Sequence, residues 1–174
     1  MAIAVAVVLL LVMGLGVIAP QPVSAQDGWG GKNAITVDIS WNEGYTMYQP
    51  DGTLVGGPWW YPVGPIEFEK NPQSGTYRTT DMEAFMAGGT PPTEILGGFL
   101  MVNRTGKLHG EITYISGRSG ATIYQEFWGQ VTVTMIDDDT ATMEGEYHDR
   151  VYVQQPDGTL VLAVYGDYEV TPLP

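Results

Sequence analysis

The sequence predicts an all-β protein: a single antiparallel β-barrel of about eight to ten strands in largely meandering order, with a β-sandwich as the alternative. Three observations lead to this fold. Apolar residues alternate with polar ones in several stretches, turn-forming residues separate the stretches at short spacing, and no stretch has the periodicity of a long helix. Such a pattern is typical of one antiparallel sheet.

The clearest stretches lie in the C-terminal part of the chain. They are rich in Val, Ile, Thr and Tyr, and they cover residues 108–116, 122–136, 141–154 and 159–171. Between them, residues 117–120, 137–139 and 156–158 supply the Gly, Pro, Asp and Ser that let a chain reverse quickly. We therefore expect four consecutive antiparallel strands.

Alternation assigns one face of each of these strands to the core, because successive side chains point to opposite faces. The apolar residues expected inside are Leu108, Ile112, Tyr114, Ile123, Phe127, Val131, Val133, Met135, Met143, Tyr147, Val151, Val153, Leu160, Leu162, Val164, Tyr168 and Val170. Each strand also places one glycine inside: Gly110, Gly129, Gly145 and Gly166. Inward glycines let a sheet bend sharply, which favours a barrel over a flat sandwich.

The earlier part of the domain is less regular. We expect strands over residues 34–41, 44–49, 66–69, 76–87 and 95–102, and an irregular loop over 56–65. The loop is expected because residues 56–65 are rich in Gly and Pro. The stretch 76–87 is ambiguous, since 81–86 would also suit a helical turn.

One seven-residue sequence occurs twice: Gln-Pro-Asp-Gly-Thr-Leu-Val fills 49–55 and again 155–161. Pro presets the first φ of a turn and Gly accepts the left-handed conformation that follows, so both copies predict hairpin turns. The flanking residues do not match, so recurrence of a good turn is favoured over duplication of half the domain.

The chain begins with an uncharged apolar run, followed by small residues spaced like a signal-peptidase site before Gln26. We predict a signal peptide over 1–25, with a retained membrane anchor as the alternative, then a flexible lead-in over 26–33 and the β domain over 34–174. The expected location is secreted or extracytoplasmic. After cleavage, no membrane association is expected.

Composition excludes several classes of function. The 174 residues carry a net charge of −13, which repels the phosphate backbone of nucleic acids. The absence of cysteine excludes disulfides, thiolate metal sites and a cysteine nucleophile. No phosphate-binding loop or hydrolase motif occurs, so we assign no catalytic residue and expect neither metal nor cofactor.

One candidate site is a row of rings on the outer face of the C-terminal strands. It depends on register: Ile112 must pair with Gln125, and Phe127 with Asp149. The row would then consist of His109, Trp128, His148 and Tyr165. Aromatic rings beside carboxylates can bind a sugar or a planar ligand, and the competing interpretation is a solvated face of cross-strand pairs.

Two further candidates come from polar and aromatic residues in unusual places. Gln125 and Asp149 interrupt inward-facing apolar positions of adjacent strands, so they either meet a ligand or lie near a barrel mouth or bulge. Trp59, Trp60 and Tyr61 fall in the expected loop, where they would form either a binding platform or a lid over the barrel.

The leading hypothesis is a secreted, non-catalytic barrel that binds a small apolar molecule or a glycan. The alternative is a structural or surface-assembly protein of the cell envelope or a filament, for which a homo-oligomer is expected. A third hypothesis is a small hydrolase or isomerase that uses interior carboxylates.

Overall fold

The computed structural model describes residues 34–87 and 92–173. They form a closed antiparallel barrel of eight strands in sequence order, which confirms the predicted fold class. The elements are β1 (Ile35–Tyr48), β2 (Leu54–Asn71), β3 (Thr76–Thr79), α1 (Met82–Met86), β4 (Glu94–Val102), β5 (Lys107–Ile115), β6 (Thr122–Met135), β7 (Thr140–Gln154) and β8 (Leu160–Pro172). The predicted signal segment 1–25 and lead-in 26–33 lie outside the described residues.

The barrel closes through β1, which has two neighbours on its far side. Its second half pairs antiparallel with β8, from Trp41 opposite Pro172 to Tyr48 opposite Tyr165. Its first half pairs parallel with the start of β7, where Asp38 lies opposite Thr140. Residues 165–170 of β8 are thus paired on both sides, whereas, within the described part of the chain, residues 160–164 have β7 as their one strand neighbour.

The four C-terminal strands were predicted with bounds within one residue of those observed. The predicted register is also confirmed for β5 to β7: Ile112 lies opposite Gln125, and Phe127 opposite Asp149. Sequence alternation sufficed here because each of these strands has a buried face and an exposed face.

The prediction of an irregular loop over 56–65 was wrong. Strand β2 runs through it without interruption, bulging against β1 near Gly64 and Gly57. On its other edge β2 meets β3 only over Glu69–Asn71, so within the described residues the part that contains Pro58, Pro62 and Pro65 has one strand neighbour. A strand edge without a partner tolerates prolines, because no ladder hydrogen bond is lost there.

The prediction of a strand over 76–87 was correct only for its first part. β3 ends at Thr79, and α1 follows, capped by the Asp81 carboxylate, which accepts from Ala84 N–H at 3.1 Å. Phe85 of α1 packs against Trp41 and, edge to face, against Phe127. The helical turn therefore contributes core residues beside a short strand that pairs over only three residues on each side.

The interior is divided along the barrel axis. Toward the end that carries turns 72–75, 103–106 and 136–139, the buried side chains are apolar, among them Val37, Ile39, Phe68, Leu108 and Met143. Toward the opposite end, tyrosines and two carboxylates replace them. This polar interior is unusual in a barrel core and calls for hydrogen-bond partners.

The two copies of the repeated sequence form matching turns at this second end, called here the paired-turn end. Gly52 N–H donates to Gln49 carbonyl oxygen at 2.9 Å, and Gly158 N–H donates to Gln155 carbonyl oxygen at the same distance. Both glycines have positive φ, 88° and 86°. The turn predictions are confirmed, and the glycines are required by that backbone conformation.

Candidate functional site

The aromatic triplet of β2 is divided between the two faces of the barrel wall. Trp59 lies opposite Tyr45, and their ring centroids are 5.9 Å apart on the inner face. Trp60 lies on the outer face over Gly44, where an added Cβ would meet its ring at 2.7 Å. Trp59 is 48% exposed and Trp60 50%, so the inner face is open to solvent near Trp59. The triplet is therefore not a single platform.

The third member, Tyr61, joins a network around Glu43. The Glu43 carboxylate accepts from Trp41 Nε1–H at 3.0 Å and from the hydroxyl of Tyr147 at 2.5 Å, and the nearby Tyr61 hydroxyl interacts favourably with its charged form. Burial raises the pKa of Glu43, while these donors lower it. Glu43 was missed in the sequence. The alternation of Val37, Ile39 and Trp41 extends to it, and that was the available signal.

Asp149 is the second interior carboxylate, and only one of its two oxygens accepts hydrogen bonds from side chains. Its Oδ2 accepts from Gln125 Nε2–H at 2.5 Å and from the Tyr168 hydroxyl at 2.9 Å. Its Oδ1 has no hydrogen-bond partner in the described part of the chain, although the residue is 1% exposed. The predicted interior position of Gln125 and Asp149 is confirmed, and the two side chains bind each other directly.

Burial raises the pKa of Asp149 to about 6, and the donors Tyr168 and Gln125 and the nearby Gly166 N–H only partly offset this effect. Gly166 lies opposite Asp149, and a Cβ there would stand 2.9 Å from Oδ1 and 2.2 Å from Tyr45 Cε2. The missing side chain of Gly166 thus leaves room for both Tyr45 and the unpaired carboxylate oxygen.

Tyrosines surround the two carboxylates. Burial and the charge of Asp149 raise the pKa of Tyr114, and the same causes act on four other tyrosines, Tyr45, Tyr61, Tyr147 and Tyr168. These hydroxyls stay protonated at neutral pH and act as hydrogen-bond donors, as those of Tyr147 and Tyr168 already do toward the two carboxylates.

The rings of this half of the barrel form a continuous series from solvent to core. Trp59 contacts Tyr45, Tyr45 stacks on Tyr168 at 4.7 Å, and Tyr168 stacks on Tyr147 at 4.3 Å. The series continues edge to face from Tyr147 to Phe127. The Tyr168 hydroxyl donates to Asp149 Oδ2, so the series passes beside this buried carboxylate.

The outer row is present in part. His109 lies opposite Trp128, and Trp128 lies opposite His148. The ring centroids of Trp128 and His148 are 5.9 Å apart. The place predicted for Tyr165 is occupied by Asp167, whose Oδ1 lies 2.7 Å from His148 Nδ1. Tyr165 instead pairs with Arg150, so that part of the prediction was wrong.

Tyr165 misses the predicted position by two residues, and a register shift within β8 accounts for one of them. The other arises at the preceding turn, because Gln154 pairs with Leu160 where the predicted row requires Thr159. Tyr152 pairs with Leu162 and Val151 with Val164, which leaves Ala163 as an extra residue in β8. A bulge of this kind moves every later residue relative to its partner. The remaining outer contacts, such as Arg150 over the Trp128 ring at 4.9 Å, join neighbouring strands. They stabilise the sheet face rather than leave binding groups unpaired.

A separate pocket of about 330 Å³ lies at the end away from the paired turns. It is lined by Gly75, Tyr77, residues 102–106 and residues 131–133. None of the residues predicted as a binding site lines it. Arg104 is the one charged residue in the lining of this pocket. The pocket shares no residue with the networks around Glu43 and Asp149.

The fold and the site define a class: a closed, acidic, eight-stranded antiparallel barrel with a tyrosine- and carboxylate-lined half-interior. No family model, curated protein or solved structure matches this chain. Within the described ranges, there is no group of three or more His, Cys, Asp or Glu side chains that could hold a metal ion. Over the same ranges, no helix has the length and apolar composition that crossing a membrane requires.

Proposed function

We propose that the protein is a small-molecule-binding β-barrel, whose ligand occupies the half of the interior nearest the paired-turn end. The observation that carries this proposal is Asp149. A carboxylate oxygen that is buried without a donor costs free energy, and native proteins almost always satisfy such groups. A ligand that donates a hydrogen bond to Oδ1 supplies the missing partner.

The surroundings indicate the body of that ligand. Tyr168 is stacked between Tyr45 and Tyr147, and this series of rings reaches solvent at half-exposed Trp59, beside Tyr45. Ring faces favour flat or apolar molecules, and binding sites usually combine such walls with a few polar groups. A small aromatic or apolar ligand therefore fits better than an extended glycan, which needs many exposed hydrogen-bonding groups.

The proposal is tested with N-phenyl-1-naphthylamine, whose fluorescence rises in an apolar site. Two matched variants separate the faces of β2: Trp59→Leu removes an inner ring beside Tyr45, and Trp60→Leu removes an outer ring over Gly44. We expect saturable binding by the unmodified protein, weakened about 2- to 10-fold by Trp59→Leu. Trp60→Leu should leave the affinity unchanged.

Equal weakening by both variants would contradict an interior site. Absence of binding, for this probe and for an oligosaccharide panel followed by calorimetry, would overturn the proposal as a whole. Circular dichroism spectra of both variants should match that of the unmodified protein, so that a lost fold is not mistaken for a lost site.

A second candidate, assembly into a surface layer or filament, is favoured by one observation. Leu54, Val55 and Val161 are exposed apolar residues next to the paired turns. Exposed apolar groups at one end of a barrel are a basis for association. Size-exclusion chromatography at rising concentration tests this: a monomer at every concentration rules it out.

A further inference from the structure

We infer that the interior site takes a ligand in which a positively charged amine is attached to an aromatic or apolar body. This inference rests on the proposed function and adds the charge of the ligand to it. It follows from how charge is distributed in the interior, from the difference between the two buried carboxylates, and from the rings that surround Asp149.

The interior carries negative charge without positive charge to balance it. Among the described residues, the buried ionisable carboxylic acids are Glu43 and Asp149, and no lysine, arginine or histidine is buried with them. Both histidines lie on the outer face, in the row with Trp128. A buried carboxylate normally has a cationic partner or several donors, so a cation is the group that this interior lacks.

The two carboxylates are not equivalent. Glu43 accepts hydrogen bonds from Trp41 and Tyr147, which fix it within the wall, and the nearby Tyr61 also lowers its pKa. Asp149 has one oxygen held by Gln125 and Tyr168 and the other free. The protein therefore orients the Asp149 carboxylate through one oxygen and leaves the second for a ligand, while Glu43 serves the structure.

The rings around Asp149 suit a cation as well as an aromatic body. The titratable groups that face Asp149 from the packed strands are Glu43, Tyr45, Tyr61, Tyr114, Tyr147 and Tyr168. Neutral tyrosine rings attract cations at their faces, and an ammonium group donates three hydrogen bonds without accepting any. An anionic ligand would meet two carboxylates and no base.

Three probes of similar shape separate charge from shape: phenethylamine, phenethyl alcohol and 3-phenylpropanoate. Their binding is measured by isothermal titration calorimetry at pH 7.5. We expect phenethylamine to bind at least 10-fold more tightly than the alcohol, and 3-phenylpropanoate to show no binding. The amine should not be displaced by millimolar Na⁺, Mg²⁺ or Ca²⁺, because the site has the rings of an organic-cation site and too few oxygens for a metal.

The variant Asp149→Asn keeps the shape of the side chain and removes its charge, and Glu144→Gln is its control on an exposed position of the same strand. We expect Asp149→Asn to lose at least 10-fold in affinity for phenethylamine and Glu144→Gln to lose none. If Asp149→Asn does not fold, the pH dependence of the unmodified protein gives an independent test. The amine binds the ionised carboxylate, so its affinity should rise about 10-fold from pH 5 to pH 7.

The outcomes are distinguishable. Equal binding of all three probes, unchanged in Asp149→Asn, would leave the interior site in place and refute the amine. Flat pH dependence between 5 and 7 would also refute it. Failure of all three probes together with N-phenyl-1-naphthylamine would instead remove the proposed function on which the inference rests.

Discussion

The raised pKa of Asp149 has a measurable consequence for stability. An exposed aspartate has a pKa near 4, and burial raises that of Asp149 to about 6. The folded state therefore binds this proton more tightly than the unfolded chain does. The contribution of Asp149 to stability is greatest below pH 4 and is lost as the pH rises through 6.

The magnitude follows from the displacement of the pKa. About 3 kcal/mol separates the two limits, and about 2.5 kcal/mol of this falls between pH 4 and pH 8. The residue is almost fully buried, so solvent screening reduces this figure little. Other carboxylates repel one another in a protein with a net charge of −13, so the total loss of stability will be larger.

The substitution Asp149→Asn isolates the contribution of Asp149 to the pH dependence of stability. Any effect of the substitution on packing is the same at both pH values. The difference in unfolding free energy between variant and parent should therefore change by about 2.5 kcal/mol from pH 4 to pH 8. The variant should be relatively more stable at pH 8. The assay is urea unfolding followed by tryptophan fluorescence. Glu144→Gln, an exposed control on β7, should show a change near zero.

A change below about 1 kcal/mol for Asp149→Asn would refute the reasoning, because it would mean that the carboxylate is as well solvated in the folded state as in the unfolded chain. A change of similar size in Glu144→Gln would attribute the effect to general charge repulsion instead.

Three other substitutions test the packing around the site, each by the urea midpoint. Gly166→Ala places a Cβ 2.2 Å from the Tyr45 ring and should destabilise by about 1–3 kcal/mol; an unchanged midpoint would show that the ring moves freely. Tyr147→Phe removes a donor from buried Glu43 and should cost about 1–3 kcal/mol, a cost that should shrink at low pH where Glu43 is protonated. Gly158→Ala meets no atom within 4 Å, so the expected loss of about 1 kcal/mol arises from its positive φ alone; no loss would mean that the turn relaxes.

Much of the fold could be predicted from local patterns. The alternation of β5 to β8 gave their bounds, and the short turns gave their antiparallel order, because each strand separates a buried from an exposed face. The same reasoning placed Gln125 and Asp149 at inward positions of adjacent strands, with a barrel mouth or an outward bulge as the alternative, but it did not predict the hydrogen bond between them. It did not place Tyr165, because neither the pairing set by the turn before β8 nor the extra residue within β8 has a local signature.

The sequence by itself determined the class of fold, the register of β5 to β7 and the position of Asp149, since these depend on side-chain alternation along single strands. The tertiary structure alone decided that β2 continues through its prolines and that Trp59 and Trp60 face opposite ways. It alone also showed that Glu43 is satisfied while one oxygen of Asp149 is not. The physical reason is that edge accessibility and hydrogen-bond satisfaction are properties of neighbours, which only the closed barrel brings together.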